Sequence, residues 1–185
     1  MQDFESQLKE IVTAKRLSAS KVTKLTEVAL KSMKDDVQLV SILYRTHKAL
    51  PAPSKIHSLY VFDALSRAAR HQVNKHDLSA GSSQGNAATF LSKVEGILEG
   101  LFQDILSVGK EEFKEKTKKI LDIWVKANTF PAQILSSLTK TVKDSEKGAY
   151  HYPAMYSLST FPTYTTPSFF ALPGSSCKLK VRTKM

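Results

Sequence analysis

The feature that most narrows the fold is a helical spacing of apolar residues that recurs through the first 148 positions. Side chains three or four residues apart share one face of an α-helix, whereas a strand alternates its faces. Phe4, Leu8, Ile11 and Val12 make the first stripe, over 2–13. Val22, Leu25, Val28, Ala29 and Met33 make a second, over 21–33, with Ser18 and Ser20 ahead of it as natural N-caps. A third, over 35–49, uses Val37, Val40, Leu43 and Tyr44. It stops at Pro51-Ala52-Pro53, because proline lacks an amide donor and restricts the residue before it. A fourth helix is predicted from Ser54 to about Gln72, on Ile56, Leu59, Tyr60, Phe62, Leu65 and Ala69.

Residues 76–86 are small and polar, so a mobile loop is predicted there. The longest helix is predicted over 87–108, from Phe90 and Leu91 through Leu101 and Phe102 to Leu106, with Gly109 able to close it. Phe113, Ile120, Leu121 and Trp124 build a sixth, ending near Asn128. Pro131 suits the first position of a seventh, which holds Ile134, Leu135, Leu138 and Val142. Seven helices with short links describe an all-α domain over 1–148. With 7 glycines and 7 prolines in 185 residues, a turn-rich β-sandwich is disfavoured.

Residues 149–185 differ in kind. They hold four of the six tyrosines, three of the nine phenylalanines and four of the seven prolines, and they carry no helical period. This aromatic, Ser/Thr/Pro-rich tail is expected to be disordered or weakly ordered, or to be an alternative splice end. No repeat of 20–50 residues is visible.

Charge narrows the partners. The net +10 places 23 of the 27 basic residues and all 17 acidic ones in the first 148 positions, a balance of +6 there. Such a field suits an anionic partner: a phosphopeptide, RNA or an acidic lipid surface. Cys177 is the lone cysteine, which excludes an intrachain disulfide and a cysteine-rich zinc site. No signal core or 18-residue apolar run is present, so a nuclear or cytosolic protein without membrane insertion is expected. His47, His57, His71, His76 and His151 have no metal-ligand spacing, and phosphate-loop and nucleophile-elbow motifs are missing. Neither a cofactor, a metal nor a catalytic pair is expected, and the chain reads as no enzyme.

Three constellations carry possible chemistry. Ser18 and Ser20 followed by Lys21 gather hydroxyls, free helix N–H groups and an ammonium, a ready anion site. Simple capping beside a solvated lysine reads the same residues. Tyr60, Asp63 and Arg67, at i, i+3 and i+7, share a helix face that would line a groove. The alternative is a surface Asp63–Arg67 ion pair, worth only about 0.3–0.5 kcal/mol. Lys114, Lys116, Lys118 and Lys119 precede Trp124; such a run is usually a wet helix face, with the tryptophan in the core.

Together the strings Ser18–Leu25 (SASKVTKL), Ser58–Arg67 (SLYVFDALSR) and Lys118–Trp124 (KKILDIW) resemble the CTD-interacting domain of fungal transcription-termination and RNA-processing factors. The resemblance covers about residues 1–148. It implies a right-handed superhelix of about seven to eight helices, shared with VHS and ENTH domains. It further implies a groove for the heptad Tyr-Ser-Pro-Thr-Ser-Pro-Ser of the RNA polymerase II C-terminal domain. In that family the residue matching Asp63 anchors the peptide near its turn, the one matching Tyr60 lines the groove, and the one matching Arg67 supports the surface. Ile123 and Ile134 are assigned from spacing to hold the peptide's tyrosine. Ser18 and Lys21 match residues that receive phosphate on the heptad's fifth-position serine. Lys119 stands where relatives preferring second-position phosphate have arginine; it keeps the charge and loses the fork.

The expected role is a monomeric, nuclear phosphopeptide reader that recruits an RNA-processing or termination complex. Full-length relatives carry an RNA-recognition domain downstream; no such segment occurs in these 185 residues, so RNA binding by this chain is not expected. The rival on the same fold is a VHS/ENTH-type trafficking adaptor. The reader reading requires Asp63 to face solvent, with Lys21 and Lys119 close by.

Overall fold

The computed structural model describes residues 1–147 except Ser82, and within them each apolar stripe forms a helix. In chain order these are α1 (Gln2–Thr13), α2 (Ala19–Lys31), α3 (Asp36–Ala49), α4 (Ala52–His76), α5 (Ala87–Leu106), α6 (Glu111–Lys126) and α7 (Ala132–Lys147). A 3-10 turn, Met33–Asp35, joins α2 to α3, and no strand occurs among the described residues. The tail expected over 149–185 lies outside the described residues.

Two helices organise the rest. α5, the most apolar, packs against α3, α4, α6 and α7. α4 packs against α1, α2, α3, α5 and α6, and at 25 residues it is about 37 Å long. Between them lie the fully buried Phe62, Phe90, Phe102 and Trp124, with Leu59 and Leu65. Truncating any of these leucines to alanine removes about 2–5 kcal/mol.

Helix ends follow local chemistry, and α4 outruns its predicted span at both ends. It starts at Ala52, because Pro53 falls in the first turn, where an amide has no partner to lose. It runs on to His76 and ends at Asp77, which adopts the left-handed conformation at φ 48°. Beyond the loop, Asn86 caps α5: its side chain accepts from Ala88 N at 2.8 Å and Thr89 N at 3.0 Å, while Thr89 Oγ1 accepts from Asn86 N at 2.7 Å. Gly85 is needed there, since a Cβ would stand 2.8 Å from the Met33 carbonyl oxygen.

Two charge clusters tie helices together. Thr89 and Lys93 of α5 both donate to Asp36, at the head of α3. Burial works to raise the Asp36 carboxyl, but these bonds outweigh it and hold it below the ordinary range. At the other end of α3, Lys48 and Lys55 pair with Asp104 of α5. His47 is fully buried beside them, its Nε2 3.1 Å from Asp104 Oδ2 but off the line of a hydrogen bond. Burial lowers its imidazole to about 4 against the pull of Asp104, so it is neutral at pH 7.

Candidate functional site

The middle of α4 holds the central polar group. Arg67 lies one turn beyond Asp63 and grips it with two bonds, Nε to Oδ1 at 2.8 Å and Nη2 to Oδ2 at 2.7 Å. Trp124 of α6 donates its indole Nε1 to Oδ1 at 2.9 Å. The tryptophan is fully buried, with Phe102 at 5.7 Å and Phe130 at 4.9 Å between ring centroids. A buried indole N–H needs an acceptor, and Asp63 supplies it.

That bond changes what Asp63 can offer. An open carboxylate was expected; instead the Asp63 side chain is 8% exposed and the Arg67 side chain 48%. A carboxylate has about four acceptor positions. The three bonds named leave one, on Oδ2. The pair is thus neither an open anchor nor a surface ion pair of a few tenths of a kcal/mol. Removing one partner of a buried pair costs about 3–5 kcal/mol.

Arg67 also faces the α2 side. With Val22, Thr23, Thr26, Ala64, Ala68 and His71 it lines an open hollow of about 380 Å3 between α2 and α4. Tyr60, one turn before Asp63, is half-buried against the core and lies within electrostatic reach of Lys116.

Ser18 occupies the N-cap position of α2, yet its side chain caps no amide. Its Oγ lies 3.1 Å from Ser20 Oγ, which leaves the first-turn N–H groups without a side-chain partner. Lys21 is engaged with Glu10 of α1, Nζ to Oε1 at 2.6 Å, in a pair exposed on both sides. An anion arriving there competes with one exposed carboxylate, a pair worth about 0–1 kcal/mol.

On α6, Lys119 and Ile123 are exposed and stand one turn apart. The lysine run departs from a uniformly wet face at Lys114, which is buried with Nζ 3.6 Å from Glu111. Ile134 is partly buried on α7, which packs chiefly on α5 and α6. The fold thus sets Ser18 and Lys21 on one neighbour of α4, Lys119 and Ile123 on another, and Ile134 one helix further away.

Some contributors lay outside the sequence reading. Thr23, Thr26 and His71 complete the hollow, and Glu10 holds Lys21. Arg70 of α4 donates its Nε to the Thr129 carbonyl at 2.9 Å, fastening the α6–α7 turn, where Asn128 takes φ 49°. A core tryptophan requires an acceptor and Asp63 is the one acidic residue of α4, but nothing in the sequence sets α6 against that point of α4.

Comparison with known proteins agrees with this architecture. The family model for the CID domain matches residues 2–138. The chain is 28% identical over 130 residues to the Rpb7-binding protein seb1 of Schizosaccharomyces pombe, covering 70% of this chain and 21% of that protein. It is 26% identical over 123 residues to SR-related and CTD-associated factor 8 of Rattus norvegicus, covering 66% and 9%. The chain therefore spans only a small part of these relatives. Among solved structures, the CTD-interacting domain of Seb1 from S. pombe aligns with a TM-score of 0.72 at 27% identity, over 78% of this chain and 97% of that one. The yeast Nrd1 CID in complex with Sen1 NIM3 aligns at 0.71 with 24% identity, over 77% and 98%, a likeness of fold. The helical superhelix expected from the resemblance is the architecture of these structures. By sequence and by fold alike, the chain belongs to the CID domain family.

Proposed function

We propose that this chain is a non-catalytic reader of the phosphorylated heptad repeats of the RNA polymerase II largest subunit. In this reading it brings an RNA-processing or termination complex to transcribing polymerase in the nucleus. One observation carries it: in a chain of the CID family, Arg67, oriented by Asp63, lines a hollow between α2 and α4, and the two helices that carry Lys21 and Lys119 both pack against α4. A relative described as CTD-associated supports the partner.

The peptide lies along the hollow between α2 and α4, with Arg67 in its wall, and reaches Tyr60 nearer the start of α4. Asp63 does not meet the solvent-facing requirement of the sequence reading: 8% exposed and held by Trp124, it serves here to orient Arg67, which meets the peptide in its place. Ile123 and Ile134 hold the heptad's tyrosine. Ser18, with the uncapped N–H groups of α2, and Lys21 take a fifth-position phosphate; Lys119 takes a second-position one. A flexible peptide loses ordering entropy on docking, so each repeat binds weakly. One charge-assisted phosphate contact of about 1.5–3 kcal/mol then shifts affinity roughly ten- to a hundredfold. Successive repeats add avidity.

Fluorescence anisotropy with heptad peptides, unmodified or phosphorylated at each serine, tests this reading. Lys21→Glu should weaken the fifth-position phosphopeptide selectively, and Lys119→Glu the second-position one. Equal losses across all peptides would sink both assignments. A VHS/ENTH-type adaptor, which the family match does not favour, would instead sediment with acidic liposomes.

A further inference from the structure

A second cavity, of about 360 Å3, opens where the end of α1, the start of α4 and the start of α6 meet. Lys15, Ser54, His57, Lys110, Glu112 and Lys116 are among its lining residues. Its lysines come from two segments, Lys15 just beyond α1 and Lys110 and Lys116 at the start of α6, unlike the wet face of a single helix. Three lysines stand against one glutamate. That glutamate is engaged: Lys116 bonds Glu112 and, with Lys110 nearby, holds its carboxyl below the ordinary range. Lys15 makes no hydrogen bond or ion pair among the described residues. His57 Nδ1 lies 3.3 Å from the Val12 carbonyl, which seats the ring against the end of α1. Tyr60 stands one turn beyond His57 on α4, so the cavity lies toward the start of the helix that carries Tyr60 and Arg67.

We propose that this cavity is a further anion pocket that takes a phosphoryl group carried on the segment flanking the docked repeat. The inference rests on the peptide reading above and deepens it: the chain reads two phosphates on one peptide. A phosphomonoester carries about −1.5 to −2 charges at pH 7 and three acceptor oxygens, which matches several ammonium groups converging on one hollow. The exposed Glu112–Lys116 pair opens at little cost when the phosphate enters. Ser54 offers a hydroxyl at the same wall. A glutamate on the peptide supplies the same sign of charge with fewer oxygens, so the two sources must be compared.

The test uses the full chain and a Lys15→Gln/Lys110→Gln variant, two lysines that the groove does not use. Anisotropy at about 0.15 M salt, where surface charges beyond about 8 Å are screened, compares three peptides. They carry one phosphate in the docked repeat, a second on the flanking repeat, or glutamate in that second place. The second phosphate should tighten binding to the native chain about tenfold, as one charge-assisted contact does. In the variant that gain should fall below about threefold, with the one-phosphate affinity unchanged. Glutamate should recover less than half of the gain; full recovery overturns the phosphoryl assignment. No gain in the native chain, or equal loss for every peptide in the variant, overturns the pocket. Failure of the one-phosphate peptide to bind indicts the groove reading instead. Amide shifts at Lys15, His57 and Lys110 during titration with free phosphoserine read the pocket independently. Saturable shifts are expected, and their absence overturns it.

Discussion

The indole Nε1 of Trp124 donates to Oδ1 of Asp63 at 2.9 Å, across 61 positions of chain. Oδ1 also receives Arg67 Nε at 2.8 Å, so one oxygen joins the core of α6 to the polar face of α4. In the proposed reading, stability and the placement of Arg67 therefore meet at this carboxylate.

Substitutions at Asp63 should separate the two. Asp63→Ala leaves a buried indole N–H unpaired and releases the guanidinium, with a loss of about 3–5 kcal/mol. Asp63→Asn keeps an amide oxygen for Trp124 and should lose less, about 1–3 kcal/mol. Urea unfolding measures both. Equal destabilisation by the two would argue that the indole bond contributes nothing.

Glu10 should act as a brake on the anion site at α2. Because the Lys21–Glu10 pair is exposed on both sides, breaking it shifts free energy by about 0–1 kcal/mol. Glu10→Gln frees Lys21 and should tighten the fifth-position phosphopeptide by up to about fivefold. The unmodified peptide should not respond. A gain for both peptides would point to general charge rather than to Lys21.

Acid should weaken the fold through His47. Its pKa is lowered to about 4, so between pH 6.5 and pH 4 the unfolded chain binds a proton that the folded chain refuses. Stability is then flat above pH 6.5 and falls as pH drops toward 4, by about 2 kcal/mol between pH 7 and pH 5. Asp36 and Asp104, both held below 3.8, keep their contributions through that window and lose them only at lower pH. His47→Gln should abolish the slope; an unchanged slope would assign it elsewhere.

The cap of α5 makes a simpler prediction. Asn86→Ala removes the acceptor for the Ala88 and Thr89 amides and should lower stability by about 1 kcal/mol, read as a shift in the urea midpoint. Peptide affinity should stay the same, since Asn86 is not among the residues that line the hollow between α2 and α4.

Helices were legible because burial leaves a periodic trace: Phe4, Leu8 and Ile11 sit where their spacing puts them. Trp124 was legible as core on size alone. Its hydrogen bond to Asp63 was not, because a contact between α4 and α6 depends on how two helices rotate against each other, and periodicity carries no such angle. The extent of α4 was misjudged for a different reason. Proline is a strong stop inside a helix and a neutral residue in its first turn, and Pro53 fell on the permissive side. Ser18 holds the N-cap position as its spacing suggests, but its hydroxyl lies against Ser20 and caps no amide, and Ser20, the other candidate cap, lies inside α2.

The bond from Arg70 to the Thr129 carbonyl carries one more consequence. It bolts the turn before α7 to the same helix that presents Asp63 and Arg67, while Trp124 clamps that helix from below. The receptor side is then set before any ligand arrives. In the proposed complex, nearly all the loss of freedom on association falls on the peptide, so stiffening the peptide should improve binding more than reshaping the protein would.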